Sequence, residues 1–247
     1  MQKIKISVVS YLNSKPFIYG LEHSSIMEEI DLQLDMPSVC AQKLLEGRVD
    51  IGLIPVAVIP KLKESHIISD YCIGAVGKVS SVMLYSEVPL PEIRQVLLDY
   101  QSRTSVTLVK VLAEHAWKIS PEWIPAEANY ETNVSGTTAA VIIGDRTFGL
   151  EGKYRYVYDL SEEWQKFTGL PFVFACWVAN KELPEEFKEK FNSALREGLE
   201  QRPQLISRLQ AENSYNTDVA DYLNRSISYT LDDSKKKALE LFLSYLS

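Results

Sequence analysis

Residues Asp50 to Val58 read DIGLIPVAV, apolar at nearly every position after the first. A strand with one wet face alternates polar and apolar residues, whereas one that is apolar throughout is covered on both faces. Such a strand needs helices above and below it, which restricts the chain to the α/β class. The preceding residues agree. Ile4–Val9 reads as a strand, residues 17–30 as a helix and Leu32–Met36 as a second, alternating strand. Pro37-Ser38 opens a helix with Ser38 as N-cap, Val39, Leu44 and Leu45 as its apolar face and Gly47 as its C-cap. Strand–helix–strand–helix–strand with short loops predicts mixed, mainly parallel sheets covered by helices.

Further strands are expected at Ile67–Ile73, Val79–Ser86, Glu92–Leu98, Glu122–Ile124, Ala139–Ile143 and Tyr154–Leu160. Trp164–Pro171, WQKFTGLP, reads as a turn, and Phe172–Ala179, FVFACWVA, as an apolar strand. From Pro184 onward, Phe187, Phe191, Ala194, Leu195 and Leu199 recur at helical spacing, and Val219, Tyr222 and Leu223 form another amphipathic stretch. No flexible linker separates these parts. Val79–Ser86 and Phe172–Ala179 are therefore expected to carry the chain between two lobes, residues 1–84 with 176–247 forming the first and 85–175 the second.

Several function classes are disfavoured. With a net charge of −7 the chain is a poor partner for nucleic acid or an anionic membrane. Met1-Gln2-Lys3 leads into an apolar run too short and too alternating for a secretory segment, and no stretch suits a membrane span, so the expectation is a cytoplasmic protein. Cys40, Cys72 and Cys176 lack CxxC spacing, and His23, His66 and His115 are scattered. They read as reduced thiols and non-ligating imidazoles, so no metal is expected. Nucleotide-binding glycine motifs are also missing, so no cofactor is expected.

The chemistry concentrates at strand ends. Ile4–Val9 runs into Ser10, Tyr11, Asn13 and Ser14, and Lys15-Pro16 then starts a helix. In open α/β sheets ligands bind at the carboxyl ends of strands, where this turn lies. Asn13 is the first candidate catalytic residue, because its amide both donates and accepts. Ser81, inside the crossing stretch, is the second. Ser102-Arg103-Thr104-Ser105 precedes an apolar helix, whose first N–H groups and the local hydroxyls suit an anion.

The order of motifs resembles one family. SYLNSKPF (Ser10–Phe17), GRVDIGLIPVA (Gly47–Ala57), GKVSSVMLYS (Gly77–Ser86), LDYQSRTSVTLVKVL (Leu98–Leu112) and IIGDRTF…VYDLSEEWQKFTGLPFVFACW (Ile142–Trp177) resemble, in sequence order, the chorismate dehydratases (MqnA) of the futalosine route to menaquinone. Departures are Ser80, where a basic residue is common, and Ser161-Glu162, where a glycine is common. The resemblance implies a two-lobed fold like a type II periplasmic binding protein, with a ligand cleft between the lobes. It implies dehydration of chorismate to 3-[(1-carboxyvinyl)oxy]benzoate, a lyase step without cofactor. Ser10, Tyr11, Asn13, Pro55, Ser81, Ser102, Arg103, Thr104, Ser105, Gly144 and Asp145 are the residues expected around the substrate. The base is either Asp145 or the substrate's own enolpyruvyl carboxylate. Two alternatives stand beside this reading. One is the sister enzyme making 1,4-dihydroxy-6-naphthoate, whose first strand usually ends in a Ser-Pro-Cys-Pro-Asn-Asp-type turn lacking here. The other is a non-catalytic organic-anion binder. A homodimer is left open.

Overall fold

The computed structural model describes residues 3–246. Among the described residues, eleven strands form two sheets: β1 (Ile4–Val9), β2 (Ile30–Asp35), β3 (Ile51–Pro55), β4 (His66–Ala75), β5 (Val82–Ser86), β6 (Gln95–Leu98), β7 (Glu122–Pro125), β8 (Thr138–Ile143), β9 (Tyr156–Asp159), β10 (Phe172–Ala179) and β11 (Ser228–Thr230). The first sheet has the order β11-β4-β10-β3-β1-β2 and the second β7-β6-β8-β5-β9. The helices are α1 (Lys15–Glu22), α2 (Pro37–Leu45), α3 (Arg103–Val111), α4 (Leu160–Thr168), α5 (Glu185–Glu200), α6 (Arg202–Glu212), α7 (Val219–Asp221) and α8 (Asp233–Ser244). Among the described residues, no helix is long and apolar enough to cross a membrane.

The apolar reading of β3 holds: all five of its residues are buried. It lies between β1 and β10, with α2 packed against it. The sheets, however, are not mainly parallel. Parallel pairing joins β1 to β2 and β3, and β6 to β7 and β8; the five other pairings are antiparallel. The reason is topological. β5 and β10, which account for four of the five antiparallel pairings, enter their sheets from the opposite lobe and run against their neighbours; the fifth joins β11 to β4. Neither strand spans both sheets, so the chain passes between them through residues 76–81 and 160–171. The expected boundaries at 84/85 and 175/176 fall inside β5 and β10.

Trp164–Thr168 of WQKFTGLP belong not to a turn but to the second half of α4, and only Gly169–Pro171 lie beyond the helix. Asp159 caps that helix, accepting the Ser161 and Glu162 N–H groups, and Gly169 ends it at φ 75°. The other oxygen of Asp159 accepts the N–H groups of Val79 (2.9 Å) and Ser80 (2.7 Å), pinning one crossing segment beside the other. Ser80 is held there at φ 61°, in the left-handed region. Strand β3 also stops sooner than expected, at Pro55, and a 3-10 turn follows over Val56–Lys61. The helix expected over residues 17–30 ends at Glu22, and Met36 rather than Ser38 occupies the N-cap position of α2.

One apolar core runs through both lobes, from Ile6, Ile51 and Trp177 to Leu84, Val96 and Val141. The other face of the second sheet covers a smaller cluster that includes Tyr85, Leu97, Ala140 and Ile142. This is the two-residue alternation of a strand covered on both sides. Helices α1 and α5 cross backbone to backbone. A Cβ on Gly20 would clash with the Ala194 carbonyl oxygen, and one on Gly198 with that of Pro16.

Candidate functional site

A cavity of about 580 Å³, counting its open mouth, lies where the lobes meet. The carboxyl ends of β1, β3, β4, β6 and β8 surround it, with the starts of β5 and β10 arriving from the other direction. Its wall is largely apolar, with Val9, Leu53, Ile73, Val82, Ile143 and Phe174 contributing. Of the expected residues, Tyr11, Asn13, Pro55, Ser81, Ser102, Thr104, Ser105 and Gly144 line it.

Each is placed by local structure. After β1, Leu12–Ser14 forms a 3-10 turn that presents Asn13. Ser14 closes the turn by donating its hydroxyl to the carbonyls of Tyr11 (2.9 Å) and Val9. The Asn13 carbonyl accepts the Tyr229 hydroxyl at 2.9 Å. Tyr11 reaches across to the second lobe and donates to the Gln101 side-chain oxygen. Burial raises the pKa of its phenol, with the nearby Arg146 guanidinium opposing. Gly144 lies against the Tyr11 ring at φ 65°, and a Cβ there would come within 2.9 Å of a ring carbon. The Gly144 N–H donates to the Ser81 carbonyl at 2.8 Å, joining the end of β8 to the crossing segment.

At the start of α3, Ser102 accepts the Ser105 N–H (3.0 Å) and donates its own proton to Ser105 Oγ (2.9 Å). Ser105 lines the cavity, and its hydroxyl proton is not used in this pair. The N–H groups of Arg103 and Thr104 have no partner within the helix, as for any helix start. Thr104 behaves differently from the expectation. Its hydroxyl donates to the Phe174 carbonyl (3.1 Å) and accepts the Ala57 N–H (3.3 Å). Both partners belong to the first lobe, so the side chain is a strut between lobes rather than a spare donor.

Three expected residues do not line the cavity. Ser10 is exposed, with its N–H on the Asp35 carbonyl, and its side chain borders a surface groove beside α1 and α6. Arg103 is the first residue of α3, and its side chain is not part of the wall. Asp145 follows Gly144 directly but turns its carboxylate to the Leu12 N–H, at 3.2 and 3.3 Å. Burial raises the Asp145 pKa to about 6, with the Leu12 N–H and Lys15 opposing.

The remaining acids of the motif segments are engaged elsewhere. Asp50 accepts the Lys5 N–H and pairs with Lys181 at 2.5 Å. Asp99 holds Arg146 at 2.5 Å and accepts the Tyr130 hydroxyl, while Glu131 takes the other arm of the guanidinium. Among the described residues, the wall thus carries hydroxyls, an amide and a helix start, with no carboxylate, imidazole, ammonium or guanidinium. Such a set can grip an anion through hydrogen bonds and the partial positive charge of the helix.

Sequence reading missed Tyr222. Its spacing with Val219 and Leu223 places it on an apolar, amphipathic stretch, but its hydroxyl lies 2.8 Å from Ser81 Oγ, behind the cavity wall. No local pattern marks that role, since the contact joins positions remote in the chain.

A family model described as "Menaquinone biosynthesis" matches residues 4–247. Chorismate dehydratase of Thermus thermophilus is 28% identical over 219 residues, covering 81% of this chain and 79% of that protein. Among solved structures, protein AF1704 of Archaeoglobus fulgidus superposes with a TM-score of 0.75 at 16% identity, covering 98% of this chain and 96% of the other. The Candida albicans CA3427 gene product, described as exhibiting the generic periplasmic binding protein fold, gives 0.62 at 11% identity, with 99% and 91% covered. The two sheets with a cavity between them are thus a periplasmic-binding-protein-like fold, and the chain belongs to the menaquinone biosynthesis family.

Proposed function

We propose that the protein is a chorismate dehydratase, eliminating water from chorismate to give 3-[(1-carboxyvinyl)oxy]benzoate. Family membership and the Thermus relative support the substrate. The observation that carries the reading is the cavity wall, which offers donors for an anion but no ionised side chain to move a proton. The chemistry asks for little more. Loss of the C3 proton and the C4 hydroxyl aromatises the ring, so the product provides much of the driving force. The substrate's enolpyruvyl carboxylate takes the C3 proton and can return it to the departing hydroxide, which leaves as water. The protein's task is to orient two carboxylates and the hydroxyl, an effect worth about 7–11 kcal/mol when the geometry is good.

In this reading Ser105 and the start of α3 hold one carboxylate from the second lobe. Asn13 and Ser81 hold the reacting end from the first lobe and the crossing segment. Ligand bound to both sides would draw the lobes together. Incubating pure protein with chorismate and following the mass and absorbance of the product tests the proposal. Loss of one water with appearance of an aromatic spectrum is the expected result. Tight binding without product would make the protein an anion binder and overturn the dehydratase reading.

A further inference from the structure

Asp99, Arg146 and Tyr130 form a buried cluster that the proposed reaction does not use. One oxygen of Asp99 accepts from Arg146 at 2.5 Å and from the Tyr130 hydroxyl at 2.6 Å. Its other oxygen accepts the Gln101 N–H at 2.7 Å. The Arg146 guanidinium lies over the Tyr100 and Tyr130 rings, 5.2 and 5.8 Å from their centres. The Tyr100 hydroxyl in turn accepts a proton of the Gln101 side-chain nitrogen at 2.8 Å. Gln101 is thus held by its backbone and by its amide nitrogen. Its amide oxygen accepts the Tyr11 hydroxyl, which comes from the first lobe. Gln101 is buried, does not line the cavity and directly precedes Ser102, the cap of α3. Tyr11 does line the cavity and directly precedes the turn that presents Asn13. The bond between them therefore joins the two sides of the cavity.

We infer that Gln101 is a positioning residue: through Tyr11 it fixes the spacing between the N-terminal turn and the start of α3, with the Asp99–Arg146 cluster as its mount. The mount is stiff, because Asp99 cannot turn without stranding Arg146, Tyr130 or the Gln101 N–H. A phenol has one proton to give, and here Gln101 takes it, so Tyr11 offers the ligand its ring rather than a donor. The start of α3 is tied to the first lobe a second time, by Thr104 at Ala57 and Phe174. With the Gln101 tie gone, α3 is held at that one place and the gap towards Asn13 is free to vary. A ligand gripped from both sides must then supply the ordering itself, which lowers affinity without changing its contacts. If the competent spacing falls to about a tenth of the population, the apparent Kd rises about tenfold.

The kinetic consequence rests on the dehydratase reading, whereas the tie between lobes does not, so two measurements separate them. The first needs no ligand. Leu12 donates its N–H to Asp145 of the second lobe, so its exchange with solvent deuterium reports whether the turn stays against that lobe. Gln101→Met keeps the length of the side chain and removes the acceptor. It should speed exchange at Leu12 about tenfold and leave the amides of β1 unchanged, whereas a general loss of stability would speed both. Tyr11→Phe keeps the ring, removes the donor and should do the same, and it carries the measurement if Gln101→Met fails to fold. Exchange at Leu12 that is unmoved, or that rises only in step with β1, overturns the inference. The second measurement uses chorismate. Gln101→Met should raise KM about tenfold with kcat changed less than threefold. The Tyr11→Phe/Gln101→Met double variant should raise KM little beyond the larger of the two single increases. Fully multiplicative increases, or a fall in kcat at unchanged KM, overturn the inference. If the wild type leaves chorismate intact, the dehydratase reading falls and exchange at Leu12 alone decides the role of Gln101.

Discussion

Asp145 is held at a cost, and replacing it by asparagine should reveal how much. Its carboxyl is raised from the ordinary 3.8 to about 6, first by burial, with the Leu12 N–H and Lys15 only partly offsetting this. At 1.36 kcal/mol per pH unit, the ionised form is disfavoured in the folded protein by about 3 kcal/mol. Partial exposure of the residue discounts that to roughly 2 kcal/mol. The sign follows from proton binding. Between pH 3.8 and about 6 the folded state holds the proton more tightly than the unfolded state. The contribution of Asp145 to stability is therefore full below the unfolded pKa and is lost as pH rises through the folded one. Asparagine has the size of the neutral acid and can still accept the Leu12 N–H. The stability of Asp145→Asn minus that of wild type, from urea unfolding at fixed salt, should climb by roughly 2 kcal/mol between about pH 4 and pH 6.5 and then level off. Taking the difference cancels every other titrating group. A difference that stays flat across that range, or that falls, would refute the reasoning. Turnover supplies a second arm. Because the carboxylate faces Leu12 rather than the cavity, Asp145→Asn should keep chorismate turnover within about threefold, and its collapse would restore Asp145 as the base.

Gly144→Ala forces a Cβ into the Tyr11 ring at φ 65°. It should cost about 1–2 kcal/mol in melting experiments and weaken ligand binding at least about tenfold by calorimetry, and unchanged affinity would show that Tyr11 need not sit there. Thr104→Val strands the Phe174 carbonyl and the Ala57 N–H. A stability loss of about 1–3 kcal/mol is expected, and full retention would mean that the strut is replaced by water. Ser105→Ala should instead leave unfolding nearly unchanged and raise the ligand Kd about tenfold, about 1.4 kcal/mol; wild-type affinity would move the anion site away from α3. Gly198→Ala drives a methyl group into the Pro16 carbonyl. About 2–3 kcal/mol should be lost, roughly 5–10 °C in Tm, and a wild-type Tm would mean that α1 and α5 separate at little cost.

Apolar runs made most strands legible, because β3, β8 and β10 are covered on both faces and show it in nearly every residue. Parallel and antiparallel runs look alike in sequence, so the direction of β5 and β10 was decided by the crossing between lobes, which composition does not encode. Helix α4 was hidden because Gly169 and Pro171 punctuate its end, while its true signal was the capping carboxylate of Asp159. At the cavity, Tyr11, Asn13, Pro55 and Gly144 were readable because each lies at or just beyond the carboxyl end of a strand. Asp145 turns its carboxylate to Leu12 while Gly144 lines the cavity, because adjacent residues in a turn face opposite ways. The hydroxyl of Thr104 suits an anion as well as it suits Phe174, and a sequence does not say which acceptor is nearer. The contact between Tyr222 and Ser81 joins two segments that meet only in the finished fold.

The order of strands has a consequence for the protein as it leaves the ribosome. Strands β5 to β9 are consecutive in the chain, so the second sheet is complete once residue 159 has emerged. The first sheet is not, because β10 lies between β3 and β4 and is made later. Until then β4 has no neighbour, and the apolar edge of β3 faces open solvent. At roughly 5–20 residues per second the nascent chain spends seconds in that state. Helix α5, which must zip against α1 through Gly20 and Gly198, comes later still. The half-made chain therefore carries a finished second lobe beside an open strand edge. That edge is where a chaperone would act, and where a translational pause before residue 172 would do most harm.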